Sequence, residues 1–321
     1  MPARRPRART FAAEPARTLA GRSRDIQRLR EQVRHLAATR APVLLEGEPG
    51  TGKSVVARAL HYSGPRRERR FERVSCAALA DDMLLVELFG GDASPGVFER
   101  TDGGTVMLDE IDRAGPSAQL RVLRLLQERV VERAGAAAPG RLRRVPVDVR
   151  LIAASDRDLA AEVRAGRFRD DLYHALAVTR VHLPPLRARR EDIPVLVEEL
   201  VRAANREHGR RVPGATAGVI ERFMRHDWPG NVSELKNVIG GMVATARGRQ
   251  ALDVESLPDA LRAGEPGARL ELAVGMTLGS VQRRLVEATL AHTRGDKRRA
   301  AAMLGIGLRT LYRWLDEWGP G

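Results

Sequence analysis

A glycine-rich loop with apolar residues before it and a helical pattern after it constrains the fold of this chain most. The loop reads Gly47-Glu48-Pro49-Gly50-Thr51-Gly52-Lys53-Ser54 and matches the pattern G-x-x-x-x-G-K-[ST]. Residues 41–46 before it predict a buried strand, and residues 54–61 after it predict a helix. Because this motif binds phosphate when it joins a strand to a helix, the sequence predicts a nucleotide site here.

The residue types of the loop fit that chemistry. Glycines allow several backbone N–H groups to point inward at a phosphate, and the helix that starts near Lys53 adds the positive end of its dipole. We expect Lys53 to reach the β- and γ-phosphates and Ser54 to ligate Mg²⁺. A compact lysine ammonium suits a point contact with phosphate, and Lys53 remains lysine in an arginine-rich chain.

A second apolar run, residues 105–108, ends in two carboxylates, Asp109 and Glu110. An Asp at the end of a strand can hold Mg²⁺ through water, and the Glu that follows can orient an attacking water. Alone, such a pair is more typical of structural capping. Together with the glycine loop, it indicates the side of a nucleotide site that positions metal and water.

The remaining pattern predicts the domain organisation. A third apolar run, residues 147–154, implies short buried strands separated by helices, which is an α/β domain with a parallel sheet and helices on both faces. After Pro184 the pattern is helical, with breaks at Pro213-Gly214 and Pro229-Gly230. The predicted parts are a flexible basic tail (1–18), a nucleotide-binding α/β subdomain (19–183), a helical lid (184–262), a linker (263–276) and an all-α C-terminal domain (277–321).

Charge and cysteine content exclude several classes of protein. A net charge of +14 attracts polyanions such as DNA, although a codon bias toward arginine explains the charge as well. The single cysteine, Cys76, excludes a disulfide scaffold and a multi-cysteine metal site. Since no apolar run reaches the length of a membrane span, we expect a soluble cytoplasmic protein without a membrane partner. Whether the basic tail contacts DNA or is only solvated stays open.

The C-terminal segment has the pattern of two helices joined by a tight turn. Asp296 can cap a helix that runs to about Leu304, Gly305-Ile306-Gly307 makes the turn, and residues 308–318 form the second helix. The residues expected to pack are Val281, Leu285, Ala288 and Leu290 of a preceding helix, with Ala300, Ala301, Leu304, Ile306, Leu311 and Leu315. The residues expected to contact double-stranded DNA are Lys297, Arg298 and Arg299 at phosphates, and Arg309, Thr310, Tyr312 and Arg313 in the major groove.

The order and spacing of many blocks resemble a known family. Residues 19–262 resemble the AAA+ ATPase domain of NtrC-type, sigma-54-dependent bacterial transcription activators, and residues 277–318 resemble the Fis-type helix-turn-helix that follows it. Besides the glycine loop, the blocks are Gly21-Arg22-Ser23, Ser75-Cys76-Ala77-Ala78-Leu79, Glu87-Leu88-Phe89-Gly90, 103–111, 149–155, Phe168-Arg169-Asp170-Asp171-Leu172-Tyr173, 183–187, 190–194 and Trp228-Pro229-Gly230-Asn231-Val232.

The resemblance implies an AAA+ fold that binds ATP and Mg²⁺ between neighbouring subunits of a homo-oligomer, which ranges from a dimer to a hexameric ring. In this family, hydrolysis drives surface loops that remodel sigma-54 RNA polymerase holoenzyme. By position, Lys53 and Ser54 would take the Walker A role, and Asp109 and Glu110 the Walker B role. Arg169 would match the first of two arginines that act on the nucleotide of the neighbouring subunit.

The chain departs from the family pattern at functional positions. The signature loop Gly-Ala-Phe-Thr-Gly-Ala, which contacts sigma-54 in the family, should follow Gly90, but residues 91–102 are too short and lack it. The second trans-acting arginine falls at Ala175, and Ser233 replaces the arginine by which the lid reaches the nucleotide.

Two further departures lie beside the phosphates. Ser75 stands where the family has the asparagine that holds the Walker B glutamate, and a serine can partly substitute for it. Ser155-Asp156 replaces the usual Thr-Asn after the third strand.

Three hypotheses follow from these observations. The favoured one is a DNA-binding transcription regulator that binds ATP and assembles, but hydrolyses ATP slowly or not at all and does not remodel sigma-54 polymerase. The second is a working ATPase that activates sigma-54 polymerase through a shortened loop, with Arg167 or Arg180 compensating for the lost arginine. The third is a partner subunit without motor activity that modulates rings of homologues. If Met1 is the native start, no receiver domain precedes Leu19, and regulation would come from a partner, nucleotide level or abundance.

Overall fold

Five parallel strands form the sheet that the sequence predicts. Their spatial order is β2-β3-β6-β1-β7. The strands are β1 (Val43–Glu46), β2 (Phe71–Ser75), β3 (Thr105–Asp109), β6 (Arg150–Ser155) and β7 (Arg180–His182), and a separate antiparallel hairpin contains β4 (Val130–Ala134) and β5 (Leu142–Pro146).

The structure is a computed structural model and describes residues 19–91, 94–134, 142–246, 248–262, 276–293 and 295–318. The chain divides into two compact units between Asp253 and Val254. The predicted basic tail and most of the predicted linker lie outside the described residues. Among the described residues, no helix is both long and apolar enough to cross a bilayer.

Side chains along the central strands point alternately to the two faces of the sheet, and helices cover both faces. This arrangement confirms the predicted α/β layering. Leu44 packs in one hydrophobic core together with residues of the helices that follow β2 and β3. Its neighbours Val43 and Leu45 point the other way, into a second core formed with the first two helices of the chain. Because both faces are covered, these strands are buried along their whole length and read as unbroken apolar runs.

The helices of the first unit divide between the sheet and a lid. Those around the sheet are α1 (Arg24–Ala37), α2 (Lys53–Tyr62), α3 (Asp81–Phe89), α4 (Val97–Arg100), α5 (Pro116–Glu128), α6 (Leu159–Arg164) and α7 (Asp170–Leu176). The lid contains α8 (Ile193–His208), α9 (Ala217–Arg225) and α10 (Asn231–Thr245). The predicted breaks at Pro213-Gly214 and Pro229-Gly230 are confirmed, since they fall between these lid helices.

The third predicted strand begins later than expected. Residues 147–149 precede β6, because the N–H of Val147 bonds the carbonyl of Arg129 and the N–H of Asp148 bonds Oδ1 of Asp102. The first strand likewise begins at Val43 rather than at residue 41.

The second unit contains α11 (Asp259–Arg262), α12 (Leu278–His292), α13 (Lys297–Leu304) and α14 (Leu308–Trp318). Asp296 caps α13 as predicted, since its side chain accepts from the N–H groups of Arg298 and Arg299. One packing prediction is wrong, because Leu285 is 45% exposed while its neighbour Val286 is buried at 1%. The core comprises Val286, Ala300, Ala301 and Leu311, with Leu290, Leu304, Ile306, Leu308, Trp314, Leu315 and Trp318 packed against it.

Candidate nucleotide-binding site

The glycine loop joins β1 to α2 as predicted and leaves open space at the start of the helix. Gly47, Gly50 and Gly52 all have positive φ, which side-chain-bearing residues adopt at a cost. A Cβ at Gly52 would contact nothing within 4 Å. The first N–H groups of α2 have no partner within the helix, so they are available to an anion in this space.

Lys53 opens α2 and lies against the loop. Its Nζ donates to the carbonyl oxygens of Gly47 (2.6 Å) and Glu48 (3.1 Å). Burial lowers the pKa of Lys53, while the nearby carboxylates of Asp156 and Asp109 act in the opposite direction. The ammonium is thus surrounded by carbonyl oxygens and carboxylates, and it is buried at 8% exposure.

The lid forms hydrogen bonds with the phosphate loop. Asn231, fully buried at the start of α10, donates from Nδ2 to Pro49 O (2.9 Å) and Glu48 Oε2 (3.2 Å). The N–H groups of Val232 and Ser233 both donate to Gly50 O, at 3.0 and 3.3 Å. Residues distant in sequence therefore fix the curvature of the phosphate loop.

An ion pair reinforces this contact. Arg187 donates to both carboxylate oxygens of Glu48, at 2.7 and 2.5 Å. This pair and the Asn231 hydrogen bond lower the pKa of Glu48 to about 2. Ser233 contributes its backbone to the loop but has the short side chain noted in the sequence, where the family has an arginine.

The Asp-Glu pair ends β3 beside the loop. Glu110 has φ of 56°, in the left-handed region that residues with side chains rarely adopt, and such strain is concentrated at functional sites. Ser75 Oγ donates to Glu110 Oε2 at 2.7 Å. Ser75 therefore binds the Walker B glutamate from the position where the family has an asparagine, as expected from the sequence.

Asp109 has a partner that sequence reasoning missed. Arg73 donates to Asp109 Oδ2 from Nε (2.9 Å) and Nη2 (2.5 Å). Arg73 faces Met107 across β2 and β3, and Ser75 faces Asp109, so alternate residues of β2 point toward the acidic pair. This alternation is the signal that could have identified Arg73.

The segments after β3 and β6 add two further acidic groups, Asp112 and Asp156. Ser155 Oγ donates to Asp112 Oδ1 at 2.9 Å. Burial raises the pKa of Asp112, and the hydrogen bond from Ser155 partly offsets this effect. Asp156 Oδ1 is buried without a hydrogen-bond partner among the described residues.

The candidate trans-acting arginine lies on the surface. Arg169 directly precedes α7 and donates to both oxygens of Asp171, at 3.0 and 2.6 Å. Arg167 is likewise paired with Glu162. Ala175 is partly buried and packs on the core of the sheet, so it presents no charge to a neighbouring subunit.

The ends of the segment that replaces the family's signature loop lie close together. Gly90 and Pro95 form an isolated β-bridge, and α4 starts at Val97. A Cβ at Gly96 would lie 2.4 Å from Gly90 N and from Leu88 O, so these ends pack closely.

Six of the seven residues predicted to contact DNA are exposed in the second unit. Lys297 Nζ lies 4.7 Å from the centre of the Tyr312 ring, which joins the start of α13 to α14. The exposed positions also include Arg298, Arg299, Arg309 and Arg313. Thr310 is half-buried.

Comparison with known families assigns each part of the chain. Residues 19–182 match the sigma-54 interaction domain, residues 187–272 an AAA+ ATPase lid domain, and residues 277–318 the bacterial regulatory protein, Fis family.

Similar proteins cover nearly the whole chain. The C4-dicarboxylate transport transcriptional regulatory protein DctD of Pseudomonas aeruginosa is 42% identical over 94% of this chain, which spans 64% of that protein's length. The transcriptional regulatory protein ZraR of Escherichia coli K12 is 39% identical, with coverage of 93% and 68%. Crystal structures of NtrX from Brucella abortus with ADP and ATP superpose with TM-scores of 0.71 and 0.68, at 29% and 28% identity, and each covers 94% of this chain and 69% of NtrX.

Proposed function

The chain belongs to the NtrC-type family of proteins with a sigma-54 interaction domain, an AAA+ lid and a Fis-type helix-turn-helix, and from this we propose that it is an ATP-binding, sequence-specific DNA-binding regulator of transcription. It hydrolyses ATP slowly or not at all, and it does not remodel sigma-54 polymerase. The single observation that carries the proposal is the contrast between an intact phosphate loop and a β-bridge from Gly90 to Pro95, which leaves only a short connection where the resemblance places the contact loop.

Nucleotide binding rests on the loop and the lid. Open space beside Gly52 lies at the start of α2, and the lid holds Gly50 and Pro49 in place. The related NtrX structures with ADP and ATP support nucleotide as the ligand. We therefore place the β- and γ-phosphates at Lys53 and the first turn of α2.

The residues also fit Mg²⁺, which favours hard oxygen ligands. The Ser54 hydroxyl in the first turn of α2 and the Asp109 carboxylate at the end of β3 supply such oxygens. When bound, the metal would neutralise phosphate charge, while Glu110, held by Ser75, would orient water.

Slow hydrolysis follows from the cations that the site lacks. An arginine finger contributes about 10³–10⁵ in rate, and Ala175 supplies none. Arg169, Arg167 and Arg180 are paired with Asp171, Glu162 and Glu46, so recruitment of any of them to a neighbouring phosphate would break an ion pair.

Steady-state turnover across a series of protein concentrations tests this proposal. We expect wild-type turnover to equal that of Glu110→Gln at every concentration, while both proteins bind a fluorescent ATP analogue. Lys53→Ala is the control for binding through the loop, because it removes the ammonium that would contact phosphate.

The other outcomes separate the alternatives. Turnover that rises cooperatively with concentration and disappears in Glu110→Gln would establish a working ATPase and refute the proposal of slow hydrolysis. Absence of turnover together with co-purification in mixed oligomers with an intact homologue would favour a modulating partner subunit.

DNA binding is proposed for the surface of α13 and α14. Double replacement of Arg309 and Arg313 by Ala is expected to weaken binding to the DNA site selected by this chain by about 30- to 25,000-fold, since each of the two base-edge contacts contributes roughly 1–3 kcal/mol. The site is first selected from random duplexes, and affinity is then measured by fluorescence anisotropy at fixed salt.

The matched control is Arg283→Ala on α12, which removes an exposed arginine that pairs with Glu287 in the same unit. Equal losses in this control and in the double variant would show that net charge, rather than the recognition surface, determines binding.

A further inference from the structure

Strand β2 supplies hydrogen-bond donors to both members of the acidic pair. Ser75 binds Glu110, and Arg73, two residues earlier on the same face, binds Asp109. The Asp109 side chain is 8% exposed, whereas that of Arg73 is 50% exposed. A guanidinium at the edge of the site therefore contacts a carboxylate inside it.

This contact changes what Asp109 can do for a metal ion. Both N–H groups of Arg73 reach the same oxygen, Oδ2, and charge-assisted bonds of this kind are among the strong ones. Mg²⁺ requires near-ideal geometry and loses its water reluctantly, so a cation already on the carboxylate competes with it.

Arg73 also supplies positive charge where a metal would. The Asp109 carboxylate is paired directly with the guanidinium of Arg73, and its charge also acts to raise the pKa of Lys53. With Arg73 present, Asp109 is neutralised without a divalent ion, and it repels a nucleoside triphosphate less.

We propose that Arg73 is a built-in counter-ion of Asp109 that makes the binding of nucleoside triphosphate nearly independent of Mg²⁺. The inference rests on the proposed nucleotide binding, and it assigns Arg73 a positioning role rather than contact with the reacting atoms. It also agrees with slow hydrolysis, since an Asp109 carboxylate that shares its charge with Arg73 binds a metal less strongly than a free one.

Equilibrium binding of a fluorescent ATP analogue to the full chain, in Mg²⁺ and in EDTA, tests this role. For the wild type, removal of Mg²⁺ is expected to weaken binding by less than about threefold, and for Arg73→Thr by about tenfold or more, the equivalent of one lost charge-assisted hydrogen bond. Arg73→Lys keeps the charge and is expected to retain weak dependence on Mg²⁺.

The control is Arg70→Thr, which removes an exposed arginine directly before β2. Among the described residues, the guanidinium of Arg70 donates only to the carbonyl of Arg100, at 3.4 Å. The variant's dependence on Mg²⁺ should match that of the wild type. Equal dependence in the wild type, Arg73→Thr and Arg73→Lys would overturn the counter-ion role while leaving nucleotide binding intact. A wild type that binds the analogue in neither buffer would overturn the proposed function as well.

Discussion

Replacement of Gly50 by Ala is expected to lower the free energy of unfolding by about 2–5 kcal/mol and to weaken ATP-analogue binding. Gly50 has φ of 77°, where a residue with a side chain is strained by about 1–2 kcal/mol. Its Cβ would lie 2.2 Å from the carbonyl oxygen of Gly230, and such overpacking costs a further 1–3 kcal/mol or so. Since Gly230 precedes α10, relief of the clash must move the lid away from the phosphate loop.

Urea unfolding followed by circular dichroism, together with titration of the fluorescent analogue, measures both effects. Gly209→Ala is the matched control, because Gly209 also has positive φ, yet a Cβ there would contact nothing within 4 Å. It should show the cost of strain alone and leave nucleotide binding unchanged. If the two variants lose equal stability, the contact between lid and loop does not constrain Gly50.

Trp228→Ala is expected to lower the free energy of unfolding by about 3–5 kcal/mol. The indole is fully buried, packs edge-on against Phe223 with ring centres 5.3 Å apart, and donates from Nε1 to the Phe223 carbonyl at 2.7 Å. The backbone oxygen of Trp228 also accepts from the N–H of Asn231, which grips the phosphate loop. We therefore expect nucleotide affinity to fall together with stability.

Urea unfolding again measures the effect, and two further variants serve as controls. Trp228→Phe retains most of the packing but leaves the Phe223 carbonyl without its donor, so its loss should be intermediate. Met224→Ala, on the same helix as Phe223 and 37% exposed, should cost less than about 1 kcal/mol. A Trp228→Ala variant as stable as Met224→Ala would show that the indole does not anchor the lid.

The sequence predicted the central strands because burial on both faces makes their middle residues apolar, with polar residues only at the ends. The edge strands were not predicted because they are only partly buried and therefore lack a continuous apolar run. In β2, half-buried Glu72 and exposed Arg73 interrupt the apolar pattern, and β7 has only three residues, of which Val181 alone is buried.

The site was predictable only in its local parts. The glycine loop and the Asp-Glu pair are short motifs with fixed spacing, and the cap at Asp296 depends only on the residues that follow it. The hydrogen bond from Asn231 to Glu48 joins positions 183 residues apart, and sequence spacing cannot predict such a long-range contact. The pair of Arg73 and Asp109 likewise required the register of two strands.

The bridge between Gly90 and Pro95 has an evolutionary consequence. It brings the end of α3 close to the start of α4 whatever connects them. The entropic cost of closing a loop rises by only about 0.6 kcal/mol with each doubling of its length. A lineage can therefore gain or discard a projecting loop at this position without rebuilding the domain, and the ability to engage a partner becomes a module separable from the nucleotide-binding scaffold.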